Sequence, residues 1–256
     1  MTTRERARRG LFVYFAFVLV GSGICEGAMI AKGGLISDHV MLALANMWVP
    51  GLACIFARLW LKEWFGDVSF SIASTRFSRL LAFGWLTPVV IAAVAYGIAW
   101  GTHLEAFAAP ASANPLVASR PVVLRFALSL VLNVSLGTVV AAISAGGEEL
   151  GWRGFMLTRL VDAEVPHPVL VSGLVWSAWH LPLIASGLYA AGPHPLLSCA
   201  LFTLSTTAGG MIIARARLES GSIWPAIAFH SSWNAVLQGT FDHFTAGGNE
   251  ARTTTI

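Results

Sequence analysis

The chain has 256 residues, of which 56% are hydrophobic and only 11% charged, with a net charge of +3, a pI near 9.0 and a mean hydropathy of +0.70. Soluble domains carry about 25% charged residues, and half that share does not cover a water-soluble globule of this size. The composition excludes a cytosolic globular enzyme, a nucleic-acid binder and a disordered chain.

A helix crossing lipid needs about 20 mostly apolar residues. Seven stretches qualify, at about 11–31, 40–61, 80–100, 121–147, 169–191, 196–214 and 222–241. All must be helical, because lipid offers no partner for unpaired backbone groups. The expected fold is an all-α polytopic membrane protein, a bundle of about seven transmembrane helices with eight as the alternative. It divides into N-terminal transmembrane helices over residues 1–124, a catalytic helical core over 125–241 and a polar tail over 242–256. Together these form a single membrane domain.

The start, MTTRERARRG before an apolar run, imitates a signal peptide. The run is too long for such a segment and no clean small-residue cleavage site follows, so it reads as a retained first span. Cys25, Cys54 and Cys199 stand alone, without metal-ligand or redox spacing, and read as small buried hydrophobes. Pro50, Pro88, Pro182 and Pro225 read as kinks. Trp48, Trp60, Trp85, Trp100 and Trp224 fall near span ends and suit an interfacial belt, whereas Trp176, Trp179 and Trp233 lie deeper.

Basic residues orient the spans. With the N-terminus inside, the inner side holds Arg4, Arg6, Arg8, Arg9, Arg58, Lys62, Arg76, Arg79, Arg153, Arg159, Arg215 and Arg217, and the outer side Lys32, Arg120, Arg125 and Arg252. That is 12 of the 16 basic residues against 4. The bias supports a cytoplasmic N-terminus and checks the span list, since a wrong count scrambles the alternation. The 14 Arg against 2 Lys point to a bacterial source, and so to the plasma membrane.

Ionisable groups inside a bilayer are expensive and mark function. Three places stand out: Gly146-Gly147-Glu148-Glu149-Leu150-Gly151-Trp152-Arg153 at the end of the fourth stretch, Trp176-Ser177-Ala178-Trp179-His180 in the fifth, and His230-Ser231-Ser232-Trp233-Asn234 in the seventh. On a helix Glu149 and Arg153 lie about 40° apart, the favourable order for an ion pair, while Glu148 points about 100° away. Glu148 is thus a carboxylate without a local partner, the candidate general base; the competing reading makes all three a charged cap at the inner membrane face. His230 and Asn234 share one helix face, and Trp176 precedes His180 by one turn. Ser231 and Ser232 turn away from the face of His230, which discounts a Ser–His dyad. Glu26, near the outer end of the first span where it meets water, and Asn46 and Asn133, as helix bridges, read as structural; His103, His167, His194 and His243 read as solvated.

A fourth span ending at its apolar edge leaves Glu148 shallower than the histidines. The expectation is therefore one long, tilted helix continuing through Glu148 to about Arg159, with a break at Gly146-Gly147 as the competing possibility. The site is expected to open toward the cytoplasm.

Glu148-Glu149-x-x-x-Arg153, Trp176-x-x-x-His180 and His230-x-x-x-Asn234, in that order on separate apolar helices, resemble the CPBP family (CAAX protease and bacteriocin-processing, or Abi, intramembrane endopeptidases) over roughly residues 125–240. The resemblance implies a polytopic protease, some of whose relatives remove the C-terminal tripeptide of prenylated proteins. It implies that Glu148 and His180 activate water, that His230 and Asn234 stabilise the oxyanion, and that Glu149, Arg153 and Trp176 support them. The family pattern prefers Phe where Trp176 stands, a large aromatic forming the wall of the pocket, and prenyl-protein members tend to carry an eighth span where this chain turns polar after Phe241. The family is often labelled metal-dependent. No cofactor is the preferred reading, with zinc on Glu148, His180 and His230 as the alternative, because two His and one Glu are a known catalytic set although the helix-borne two-His signature is absent.

The expected partners are membrane lipid and a membrane-associated or prenylated-type protein or peptide substrate, and no nucleic acid. The rival reading is a non-hydrolytic immunity or scaffold protein using the same cavity. A proton-coupled carrier ranks last, because the two halves show no internal repeat.

Overall fold

The computed structural model describes residues 2–246 except 74, 113 and 191. Six of its helices are long and apolar enough to cross a membrane: α1 (Thr3–Lys32), α2 (Val40–Leu61, continuous with a short turn from Ile36), α3 (Phe77–Gly101), α4 (Val122–Asp162), α5 (Pro168–Ala185) and α6 (Pro195–Ser220). The expected seventh stretch is α7, an α-helix over Trp224–Trp233 that continues in π turns over Asn234–Phe241. No residue of α7 from 225 to 241 is exposed. Helices α3, α4 and α6 pack around it, so it is the central helix and the long helices carry the lipid-facing surface. The chain is an integral, all-helical polytopic membrane protein.

Helix α4 is one run of 41 residues, about 60 Å at 1.5 Å per residue and twice the hydrocarbon thickness. The long helix expected from the depth argument is present, and no break occurs at Gly146-Gly147. Its irregularities are π turns at Asn133–Gly137 and Trp152–Met156. The first is pinned by Asn133, whose amide donates to Gly239 O and Thr240 Oγ1 on α7 at 3.0 and 2.9 Å, the bridging role expected of it. The middle of α4 meets α2 backbone to backbone. A Cβ on Gly151 would sit 2.4 Å from the Pro50 carbonyl carbon, and one on Gly147 would strike the Trp48 ring at 2.8 Å. This small-x-x-x-small stripe lets two helices approach without a hydrophobic force between them, and it fixes the height of the two residues it encloses, Glu148 and Glu149.

Several boundaries differ from expectation. The fifth span ends at Ala185 rather than 191, because Gly187 takes φ +82° and the amides of Gly187 and Leu188 close onto Ile184 O and Leu183 O. The chain then doubles back and brings Tyr189 over the bundle. The sixth runs past 214 to Ser220, where Gly221 stops it in the left-handed region. Pro50, Pro88 and Pro182 lie inside helices, but Pro225 occupies the first turn of α7, where its missing N–H costs nothing. Cys54 is buried as expected, whereas Cys25 and Cys199 are half-buried. Trp48, Trp60, Trp85 and Trp224 are exposed near span ends, while Trp100 is half-buried and stacks on Phe241. His103, His167, His194 and His243 are exposed.

No eighth long apolar helix occurs among the described residues. The start of the tail is folded rather than loose: Asp242 accepts from the Tyr96 hydroxyl and Thr245 Oγ1 accepts from Trp100 Nε1. The rest of the tail, with Arg252, lies outside the described residues.

One end of the bundle carries an ion-pair network. Arg6 and Arg159 share Glu63, Arg58 and Arg159 reach Asp67, and Arg4 reaches Glu164. These ties hold the start of α1, the end of α2, the end of α4 and the following loops together, so the charged cap of this face consists of these residues and not of Glu148, Glu149 and Arg153.

Candidate active site

Glu148, Glu149 and Arg153 are 1%, 0% and 0% exposed, well inside the bundle and about 20 Å along α4 from its Asp162 end. Arg153 donates to Glu149 Oε1 at 2.7 Å, the i,i+4 pair expected from helix geometry. The same oxygen accepts from His230 Nδ1 at 2.9 Å, which ties α4 to α7. The Arg153 guanidinium carbon lies 4.3 Å from the centre of the Trp176 ring. Glu149 is thus the hub of a buried cluster, and its pairing leaves Glu148 to a different neighbour. Glu148 Oε2 accepts from Trp176 Nε1 at 2.8 Å, so the carboxylate that lacks a partner on its own helix finds one across the α4–α5 contact. Trp176 therefore stands behind Glu148, between Arg153 and His230, rather than forming the wall of the pocket.

His180 Nδ1 donates to the backbone carbonyl of Trp176 at 2.8 Å. A carbonyl only accepts, so this contact puts the ring proton on Nδ1 and leaves the Nε2 lone pair free. The ring is walled by Trp179, Phe202 and Tyr189, at centroid distances of 4.8, 5.0 and 6.1 Å. In the same way the Glu149 carboxylate fixes a proton on His230 Nδ1 and turns the other edge of that ring away from α4.

Glu148, His180, His230 and Asn234 line one cavity of about 290 Å³. All seven residues singled out in the sequence meet at this place: four on the cavity and Glu149, Arg153 and Trp176 behind it. Among the described residues no three His, Cys, Asp or Glu side chains are grouped so as to hold a metal ion. Trp176 and Glu149 engage Oε2 of Glu148 and Nδ1 of His230.

The cavity also contains residues that the sequence did not assign to it. Glu26 is buried, not in water, and accepts from Asn46 Nδ2 at 3.2 Å; both line the cavity. An ionisable residue in an apolar span was the available signal for Glu26. Tyr189 carried no signal, because its place depends on the turn at Gly187. Its hydroxyl accepts from Gln238 Nε2 at 3.1 Å, and burial first, then the nearby Glu148 and Asp242 carboxylates, push the phenol well above its ordinary value, so it stays protonated.

The mouth does not lie at the end where the sequence placed it. The exposed residues of the lining are Ser37, Val40 and Leu44, at the α1–α2 connection and the start of α2. That is the end of the bundle remote from the N-terminus and its ion-pair network, so the cavity opens away from the face expected to be cytoplasmic.

Residues 126–236 match a family model described as type II CAAX prenyl endopeptidase Rce1-like. No curated protein and no solved structure matches the chain significantly. The matched segment holds every residue of the cluster described above, from Glu148 to Asn234. Over residues 126–236 this chain is therefore similar to the Rce1-like family, whose description is that of a CAAX-type endopeptidase, a hydrolase.

Proposed function

We propose that the chain is an intramembrane endopeptidase that hydrolyses a peptide bond of a membrane-associated or prenylated-type protein with water activated by Glu148 and His180, without a metal. The observation that carries this reading is the convergence of Glu148, His180, His230 and Asn234 on one cavity. Glu148 Oε1 is the base: its other oxygen is held by Trp176, which orients the carboxylate. His180, with its Nε2 lone pair free, shares the proton as water attacks the carbonyl carbon. The oxygen of the tetrahedral intermediate is received by the Asn234 amide and His230 Nε2–H, and Glu149, accepting from Nδ1, supports the imidazolium that this donor requires. Collapse breaks the C–N bond, and the proton held by Glu148 and His180 passes to the leaving amine.

The test is cleavage of a membrane-anchored peptide reporter by protein in proteoliposomes. Glu148→Ala and His180→Ala should abolish cleavage while inserting normally, and Asn234→Ala should lower kcat by about 10²–10³-fold. Biological function retained in the first two variants would favour the non-hydrolytic immunity or scaffold reading.

A further inference from the structure

We infer that the catalytic cavity opens on the non-cytoplasmic side of the membrane, so that the substrate is an extended peptide segment of an exported, membrane-anchored protein rather than a cytosolic lipidated C-terminus. The inference rests on the endopeptidase reading for the word substrate, but the sidedness stands on separate observations.

The first is where the positive charge lies. At the end holding the start of α1, the end of α2, the start of α3 and the ends of α4 and α6 there are 11 basic residues; at the other end the described residues hold Lys32, Arg120 and Arg125. Arg153 is set aside because it sits in the site itself. The structure supports the grouping: Arg6–Glu63, Arg58–Asp67 and Arg159–Glu63, at 3.2, 2.7 and 2.6 Å, join the start of α1, the end of α2 and the end of α4, and Arg217 at the end of α6 donates to Asp67 O at 2.6 Å. An excess of Arg and Lys in short connections marks the cytoplasmic side, and acidic residues on the same face do not offset it.

The second is the direction of the cavity. Its buried floor includes Glu148 and His230; its exposed rim is Ser37, Val40 and Leu44. Glu26 and Met29, near the far end of α1, and Tyr189, in the α5–α6 connection, complete the path from floor to rim. Every one of these segments lies at the end with few basic residues. In the other direction the site is closed by packed side chains: Trp152, Phe155 and Met156 are fully buried between the cluster and the ion-pair network. Water and substrate therefore reach Glu148 from the far side.

The third is the chemistry of the rim. Val40 and Leu44 are 55% and 40% exposed, beside Met41 at 78%, so the rim joins the cavity, with Glu148 and His230 on its floor, to an apolar surface at the membrane boundary. This suits a peptide whose flank lies in the outer leaflet. At about 290 Å³ the cavity admits a short extended segment and not a folded domain.

The experiment is thiol labelling in spheroplasts with a membrane-impermeant maleimide, in a background with Cys25, Cys54 and Cys199 replaced. Ser37→Cys at the rim should label in intact spheroplasts, and Thr3→Cys only after permeabilisation. A Ser37→Cys that stays protected until permeabilisation overturns the inference. A second arm uses a reporter peptide on a single-span anchor, placed on either side. Cleavage of the outer reporter alone, lost in Glu148→Gln, supports the proposal, and cleavage of the cytoplasmic reporter overturns it. Correct labelling with neither reporter cleaved would defeat the endopeptidase reading while leaving the sidedness intact.

Discussion

At the scale of single residues, the two adjacent glutamates have opposite duties because a helix turns them about 100° apart. Glu149 is tied to Arg153 and His230 inside the bundle. Removing one member of such a buried set leaves an uncompensated charge, a loss of about 3–5 kcal/mol. Glu149→Ala should therefore lower the thermal unfolding midpoint in detergent by several degrees, whereas Glu148→Gln should leave it nearly unchanged and abolish turnover. Equal midpoints for the two variants would refute this division of labour. Trp176 gives a finer test. Its Nε1–H holds Glu148 Oε2 at 2.8 Å, a contact that Phe, the residue the family pattern prefers, does not provide. A hydrogen bond to a charged group is worth about 1.5–3 kcal/mol, so Trp176→Phe should cut kcat by about tenfold or more with KM little changed. Full activity in that variant would mean that the indole N–H does not orient the base.

At the scale of elements, the position of the carboxylates depends on how closely α4 approaches α2. Gly151 meets Pro50 with no room for a methyl group, while Gly146, one residue before the stripe, faces open space. Gly151→Ala should cost about 1–3 kcal/mol through forced displacement of the helices and impair activity by moving Glu148. Gly146→Ala should be neutral or slightly stabilising, since Ala is the better helix former. Unfolding midpoints of the two variants, measured side by side, check the argument, and equal effects would show that the stripe does not set the helix spacing. The π turns add to the same geometry: that at Trp152–Met156 follows the glutamates and that at Asn234–Phe241 opens with Asn234. Such turns recur at functional sites because they redirect side chains without ending the helix.

At the scale of the whole molecule, six long helices enclose a short central one, and the catalytic candidates lie on the inward faces of α4, α5 and α7. Glu148 Oε2, Glu149 Oε1 and His230 Nδ1 are held by protein donors and acceptors, and the hydrolysis proposed above uses no ion. Exhaustive chelation of the purified protein should leave reporter cleavage within about twofold of the untreated rate, with less than stoichiometric zinc by elemental analysis. Activity lost on chelation and restored by zinc would return the reaction to metal-assisted hydrolysis.

The amino-acid sequence alone determined the membrane class, the approximate spans, the Glu149–Arg153 pairing, the shared face of His230 and Asn234, and the long fourth helix. All of these follow from hydropathy and the 3.6-residue period, which act between chain neighbours. Tertiary structure alone decided that three distant helices converge, that Trp176 and not a same-helix residue holds Glu148, that Glu26 and Tyr189 reach the cavity, and that the mouth faces away from the N-terminal end. Those depend on where helices cross, and crossings are set by backbone approaches such as Gly151 on Pro50 and by turns such as that at Gly187, between residues too far apart in the chain for periodicity to relate them.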